Sequence, residues 1–505
     1  MSIAKVLGIE TEYGIIAIGM DSSPITSSSL LINSYVSRFD SSIGWDFAAE
    51  MPGSDARGYN LDDVFPADIE VQMVNTVLTN GARYYVDHAH PEISTPECRF
   101  ASEALLFDRA GEEIVRQSMA TAKTLLPKGA ELVVYKNNSD GKGNSYGCHE
   151  NYLLSRAVPF GEMAALITPH FVTRQIFCGA GKVGSEFEGM PSNSVAYQLS
   201  QRADFFEEEI GLETTLKRPI INTRDEPHCD PSKYRRLHVI VGDANMSEVA
   251  TFLKLGTTAI LLAMIEDRQL GDDLLLASPV AAIRQVSHDP TLRQRILLES
   301  GKTLTALELQ EALCERAERY ATQFGLDSVG NEDGKLILRR WREVIEGLKE
   351  DPLSQSHIVD WVAKKRIIDG MTERHNLRAN DPRLKAIDLQ YHDMRREKCL
   401  ALRANLETMV NDAEVLRAID TPPDTTRAYF RGMCLKKWPS DVVAANWDSI
   451  VFDIGKEPLR RVPMMEPLRG TRLMTEHLFE KCESPAELVA MLGNQVASSD
   501  FKPTN

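Results

Sequence analysis

The sequence predicts an α+β fold, with a polar-faced antiparallel sheet supplied before residue 247 and a helical body after it. Three observations predict this. Short runs with two-residue alternation recur through the first half of the chain, bounded by Gly, Pro or Asn. From Ser247 to about residue 420 the apolar residues take helical spacing, as in ELQEALCERAERYATQF and LILRRWREVIEGLK. Pro422-Pro423 then breaks the pattern, so 424–505 reads as a small C-terminal domain after a larger body of 1–423.

The elements follow in order. Val6 to Ile18 alternates and reads as strand. Residues 19 to about 66 are rich in Ser, Asp and Gly, with apolar islands at Leu30-Leu31-Ile32 and Trp45, and read as a long mobile loop. Gly81 to Asp87 is a strand ended by Pro91, and Cys98 to Leu126 a helix. Glu131 to Tyr135 is a strand. Asn137 to Tyr146 is a turn-forming loop. Cys148 to Leu154 and Leu237 to Val241 complete the strands.

Composition narrows the function. The chain has 505 residues, too many for one ordinary core, and its 43% hydrophobic and 26% charged residues suit a globular protein. A net charge of −16 argues against a nucleic-acid binder, because neutralising phosphates takes a basic surface. The best apolar run, Thr257 to Ile265, is too short to span a bilayer, and the N-terminus lacks a signal peptide's apolar core. The expectation is a cytoplasmic protein with no membrane partner. Its eight cysteines show no CxxC pair or zinc spacing and read as buried thiols.

Four strands carry chemistry on one face. Side chains alternate, so Gly8, Glu10, Glu12 and Gly14 share a face opposite Ile9, Tyr13 and Ile15. Arg83, Tyr85 and Asp87 share another, as do His149 with Asn151, and Arg236 with His238. A single such face is ordinarily the solvated side of a half-buried sheet. Four faces of Glu, Asp, His, Tyr and Arg fit another role. Carboxylates suit Mg²⁺ or Mn²⁺, imidazole is favoured by Mn²⁺, and arginines orient phosphate oxygens. No Walker A loop or dinucleotide fingerprint is present, and GAGKVGS (179–185) lacks the phosphate-loop spacing. A nucleotide would therefore be held by the sheet and its metals. YVDHAHPEISTPEC (85–98) is the densest constellation. Pro91 there turns Glu92 back toward Asp87, and Asp87 is placed to attack an acyl or phosphoryl centre or to activate water.

GIETEYG (8–14), NGARYYVDHAHPEISTPEC (80–98), HEN (149–151), RRLHVIVGDANMSE (235–248) and DPRLKAIDLQYHDM (381–394) together resemble the Pup ligase and Pup deamidase/depupylase family, over essentially the whole chain. The resemblance implies a glutamine-synthetase-like curved antiparallel cradle on helices, with ATP and Mg²⁺ or Mn²⁺ as cofactors. It implies the ubiquitin-like protein Pup and pupylated proteins as partners. Two chemistries occur in the family. One joins the C-terminal glutamate of Pup to a lysine; the other hydrolyses an amide at the same glutamyl carbon. The insertion after the first strand, the stretch GWDFAAEMPGSDARGYNLDD (44–63) and the wording DHAHPE after Asp87 resemble the hydrolase branch. The expectation is an ATP-dependent amidohydrolase; the alternatives are the Pup ligase reaction, a small-molecule glutamate–amine ligase, or an inactive ATP-binding regulator.

Residue by residue, the resemblance implies Asp87 as the catalytic aspartate. Glu10, Tyr85, Glu92, His149 and His238 would form the metal site. Gly8, Ile9, Glu12, Arg83, Ser94, Thr95, Asn151, Arg236 and Trp447 would form the nucleotide site. Arg202, Lys217, Arg218 and Arg235 are candidates for a local basic groove that takes the acidic Pup chain.

Overall fold

The structure is a computed structural model that describes residues 1–39, 43–58, 73–187, 195–214, 217–379, 381–455 and 458–499. Its strands begin with β1 (Leu7–Glu12), β2 (Gly14–Ile18), β3 (Ile43–Trp45), β4 (Asn75–Val77), β5 (Arg83–Asp87) and β6 (His90–Ser94). They continue with β7 (Glu131–Tyr135), β8 (Cys148–Ser155), β9 (Lys182–Val183), β10 (Tyr197–Gln198), β11 (Phe206–Gly211), β12 (Arg218–Asn222) and β13 (Tyr234–Val239). After β14 (Arg295–Leu297) and β15 (Thr303–Thr305) come β16 (Val442–Ala445), β17 (Ser449–Phe452) and β18 (Arg460–Pro463). Ten of these form one sheet, ordered β13-β8-β1-β6-β5-β4-β3-β16-β17-β18. Its pairings are antiparallel except that β3 runs parallel to β16.

The sheet is two-faced because its sequence alternates. Leu7, Ile9, Tyr84, Val86, Ile93, Tyr152, Leu237 and Val239 are buried in the main core. Behind them pack the helices Ala101–Leu125, Phe160–Thr173 and Glu248–Glu266, so the predicted α+β architecture is present. The predicted run Val6–Ile18 is two strands. The Tyr13 N–H donates to Pro91 O between them, and β2 leaves the large sheet to pair with β7.

The expected loop at 19–66 is largely ordered where it is described. Pro24–Val36 is a helix capped by Ser23, whose hydroxyl accepts from the Thr26 N–H, with Pro24 at its start. Leu31, Ile32 and Tyr35 enter the core, and Ser28 and Ser34 bond the carbonyls of Ala89 and Leu30. Serine-rich composition hid the helix because these hydroxyls are internally satisfied. β3 follows inside the same segment, and 59–66 lie outside the described residues.

The helix Glu248–Glu266 also differs from expectation. Its 19 residues are long and apolar enough to cross a membrane, because its apolar stretch begins at Val249. Protein buries the whole span, so it is a core helix. Beyond Pro423, residues such as Phe430, Trp438, Ile450 and Phe479 gather a second core that includes Ile43, Trp45 and Val77. Strands β16–β18 of this segment continue the main sheet. All eight cysteines are buried and free.

Candidate functional site

The polar face of β13, β8, β1, β6 and β5 floors two adjoining cavities. One of about 390 Å³ is lined by Glu10, Arg83, Tyr85, Asp87, Glu92 and His149, among others. A smaller one of about 90 Å³ is lined by Gly8, Thr95, Asn151 and Arg427. Ser94, Arg236, His228 and Trp447 border both.

Register brings the reactive groups together. Glu10 pairs across β1 with Ser94 on one side and His149 on the other, and Glu12 stands opposite Glu92. Asp87 and His90 face each other where β5 turns into β6 through His88, whose φ is 51°. Glu92 thus reaches Asp87 through a hairpin. The expectation that Pro91 ends the strand is corrected: Pro91 sits inside β6, opposite Val86.

Two sets of ligand-type atoms converge within 4.8 Å of one another: Glu10 with His149 and His238, and Glu12 with Asp87 and Glu92. The first set is pre-arranged. Asn151 donates to Glu10 at 2.8 Å, and the Nδ1–H of His238 donates to the Asn151 oxygen at 2.9 Å, which leaves Nε2 its lone pair. Burial would raise Glu10, but the hydrogen bond from His149 and the charge of its neighbours hold it well below the usual carboxylate range. Burial holds His238 neutral. The second set is crowded. Burial and the charges of Asp87, Glu12 and Glu10 push Glu92 well above the usual range. Burial also opposes ionisation of Asp87, yet the hydrogen bond from His88 keeps it low. Three carboxylates with one raised so far are a donor set that a divalent cation relieves.

Cationic groups face these carboxylates. The Arg83 guanidinium lies 4.0 Å from both the Trp45 and Tyr85 rings, and its Nε donates to Asn75. Arg236 Nε and Nη2 are buried without a hydrogen-bond partner, an arrangement that suits phosphate oxygens. Of the expected nucleotide residues, Gly8, Ser94, Asn151, Arg236 and Trp447 line the small cavity as a group. Thr95 also lines it, but its hydroxyl accepts the Ile9 N–H. Ile9 lines it as well, although its side chain packs in the core on the opposite face. Glu12 stands with Asp87 and Glu92, in the cation set, and so departs from the expected nucleotide role. Tyr85 keeps its phenol 3.4 Å from Ser94, and burial beside Glu92 holds it neutral.

Of the four cations expected to form a basic groove, Lys217 is exposed but the arginines are taken up inside the protein. Arg202 and Arg235 are buried, donating to the carbonyls of Tyr146 and Val158, and Arg218 donates to Thr214 and Ser145. These guanidiniums satisfy loop carbonyls, a use that a lone arginine in sequence does not reveal. Other residues escaped the sequence reading. Arg224, Glu226 and His228 line the large cavity from the loop NTRDEPHC (222–229), whose alternating charge was the available signal. Glu97 carries Arg427 and Arg431 beneath the small cavity, and Arg431 donates to the Trp447 carbonyl. Gly147 is required: a Cβ there would lie 2.3 Å from His149 Nε2 and 2.7 Å from Glu12 Oε1.

A sheet cradle of carboxylates, imidazoles and a guanidinium with two nitrogens free of hydrogen bonds is of the class that could hold divalent cations and anionic groups. The family model described as Pup-ligase protein matches residues 5–451, and the chain belongs to that family. It is 49% identical to the depupylase of Acidothermus cellulolyticus, covering 97% of this chain and 99% of that protein. It is 44% identical to the Pup deamidase/depupylase of Mycolicibacterium smegmatis, covering 97% and 100%. A Pup–protein ligase of Acidimicrobium ferrooxidans is 43% identical over 79% of this chain and 89% of that protein. The solved ligase PafA in complex with Pup superposes with a TM-score of 0.79 at 31% identity, covering 99% of this chain and 96% of that one. PafA in complex with ADP gives 0.73 at 36%, covering 80% and 89%.

Proposed function

We propose that this chain is a nucleotide-dependent amidohydrolase that converts the C-terminal glutamine of Pup to glutamate and cleaves Pup from lysine side chains. The observation that carries the direction of the reaction is sequence likeness: 49% identity to a depupylase over 97% of this chain, against 43% over 79% for the ligase of Acidimicrobium ferrooxidans and 31% for the solved ligase PafA that superposes over 99% of it.

ATP would span the two adjoining cavities, with Gly8, Asn151 and Trp447 in the smaller one and Arg236, which borders both, available to its phosphates. The solved ligase that carries ADP supports a nucleotide in this family. Glu10, His149 and His238 would hold one Mg²⁺ or Mn²⁺, and Glu12, Asp87 and Glu92 a second. Such ions supply charge that stabilises an oxyanion and orients phosphate oxygens.

Asp87 is the reacting carboxylate. It is ionised and sits at a hairpin end facing the large cavity. Two routes fit its position: direct attack on the carbonyl carbon, and deprotonation of a water that attacks. Single-turnover reaction in ¹⁸O-water bears on them: label in Asp87 establishes the first route, while trapping the acyl-Asp87 anhydride with hydroxylamine detects that route when water opens the anhydride at the substrate carbon. Amide hydrolysis is downhill, so the nucleotide acts as a bound cofactor. The overall proposal is tested by incubating the protein with Mg²⁺, ATP and a purified Pup–protein conjugate. Release of Pup ending in glutamate and of an unmodified lysine is expected. An intact conjugate, with new conjugates forming from free Pup and protein, would reverse the assignment.

A further inference from the structure

A third cavity, of about 650 Å³, lies beyond the carboxylates and shares no lining residue with the other two. Its walls come from β2, the loop 137–146, the residues around β9 and the helix Pro382–Tyr391. His90 joins it to the site. His90 Nδ1 is 3.6 Å from Glu12, and its ring lies 4.5 Å from that of Tyr146, a wall residue.

β1 and the first residue of β2 set the order of these spaces. Same-face residues of a strand lie about 7 Å apart. Gly8 borders the small cavity, Glu10 belongs to the imidazole set, Glu12 to the carboxylate set, and Gly14 borders the third cavity. Gly14 lets the cavity walls Tyr146 and Asn137 close on the strand: a Cβ there would lie 2.6 Å from Tyr146 Oη and 2.9 Å from Asn137 Oδ1. A carbonyl held at Asp87 therefore has the nucleotide side on one hand and this space on the other.

The two substrates of the proposed function differ only on the nitrogen. Hydrolysis bonds a water oxygen to the carbonyl carbon and breaks the C–N bond. The nitrogen leaves with a proton, as ammonia from glutamine or as a lysine amine from the conjugate. Only the lysine brings four methylenes and a second protein. We propose that the 650 Å³ cavity receives the lysine side of the isopeptide bond; this rests on the function proposed above. Ile15, Ile16 and Val183 offer apolar wall to the methylenes. Asp140, Glu186 and Asp388 balance Lys142, Lys182 and Lys385 around it, so an acidic chain gains no net attraction there.

The test compares two rates on each variant. Ala386 is exposed on the helix wall, and Ile16 is 46% exposed on the opposite one. Ala386→Trp narrows the space without touching Glu12, Asp87 or Glu92, and Ile16→Arg repeats the obstruction from the other side. Each variant is expected to lose at least about tenfold in kcat/KM for cleaving Pup from a folded protein. Each keeps deamidation of glutamine-ended Pup within about twofold, which also shows that the variant is folded. Parallel loss of both reactions with a raised KM for Pup would put the Pup tail in this cavity and overturn the proposal. Unchanged cleavage of the conjugate by both variants would overturn it too. Absence of deamidation in the unaltered protein would instead refute the proposed function.

Discussion

Both faces of the central sheet bury charge, but in opposite fashion. On the core side several buried charges meet a direct complement. Lys136 is held between Asp108 and Glu112, and Arg174 donates to both oxygens of Glu150 at 2.6 and 2.8 Å. On the cavity side, Glu12, Asp87 and Glu92 crowd one another while Arg236 keeps two buried nitrogens without a hydrogen bond, its nearest carboxylate being Glu226 at 3.9 Å. The paired charges stabilise the fold. The unpaired ones are left for ligands, and the contrast locates the site without reference to any relative.

Substitutions can break that contrast. The largest effect is expected from Asp87→Asn, which lowers kcat about 10³–10⁴-fold while nucleotide affinity and melting temperature stay unchanged; single-turnover assay and calorimetry check this. On the core side, Glu150→Ala strands the Arg174 guanidinium. It should cost about 3–5 kcal/mol of stability in denaturant titration. Glu97 gives a pH signature. Burial opposes its charge, but Arg431 and Arg427 hold it down to about 2. A lowered carboxylate contributes fully above its unfolded value and loses that contribution as pH falls through its folded one. The protein should thus lose about 3 kcal/mol between pH 5 and 2 that Glu97→Gln does not lose. The smallest and most discriminating effect belongs to Glu92→Gln. Relieving a like-charge cluster should leave the metal-free protein as stable or about 1 kcal/mol more stable, yet abolish activity. A clear loss of stability on that substitution would mean that Glu92 is paired as the core charges are.

Alternation made much of this legible. Gly8-Ile9-Glu10 and Arg83-Tyr84-Tyr85 each fixed which side chains face the cavity, because strand periodicity does not depend on the rest of the fold. What alternation does not encode is which strands are neighbours. Glu12 was therefore assigned to the nucleotide, when β1–β6 pairing sets it opposite Glu92. The helix at Pro24–Val36 was masked by serines whose hydroxyls bond backbone carbonyls, although Ser23-Pro24 was a usable start signal. Arg224, Glu226 and His228 alternate along the loop 222–229, but alternation in a loop does not say which cavity the charged side meets. Trp45 sits in the segment read as a loop, yet it stacks on Arg83 and lies 5.2 Å from Trp447.

The central claim is hydrolysis at the glutamyl carbon with the nucleotide retained. Intact-mass measurement of glutamine-ended Pup, with Mg²⁺ and with or without ATP, tests it most directly when ADP is quantified in the same samples. The account predicts conversion of glutamine to glutamate that requires ATP, with far less ADP formed than product. No conversion, together with ligation of glutamate-ended Pup to lysine and one ADP per bond, would contradict it.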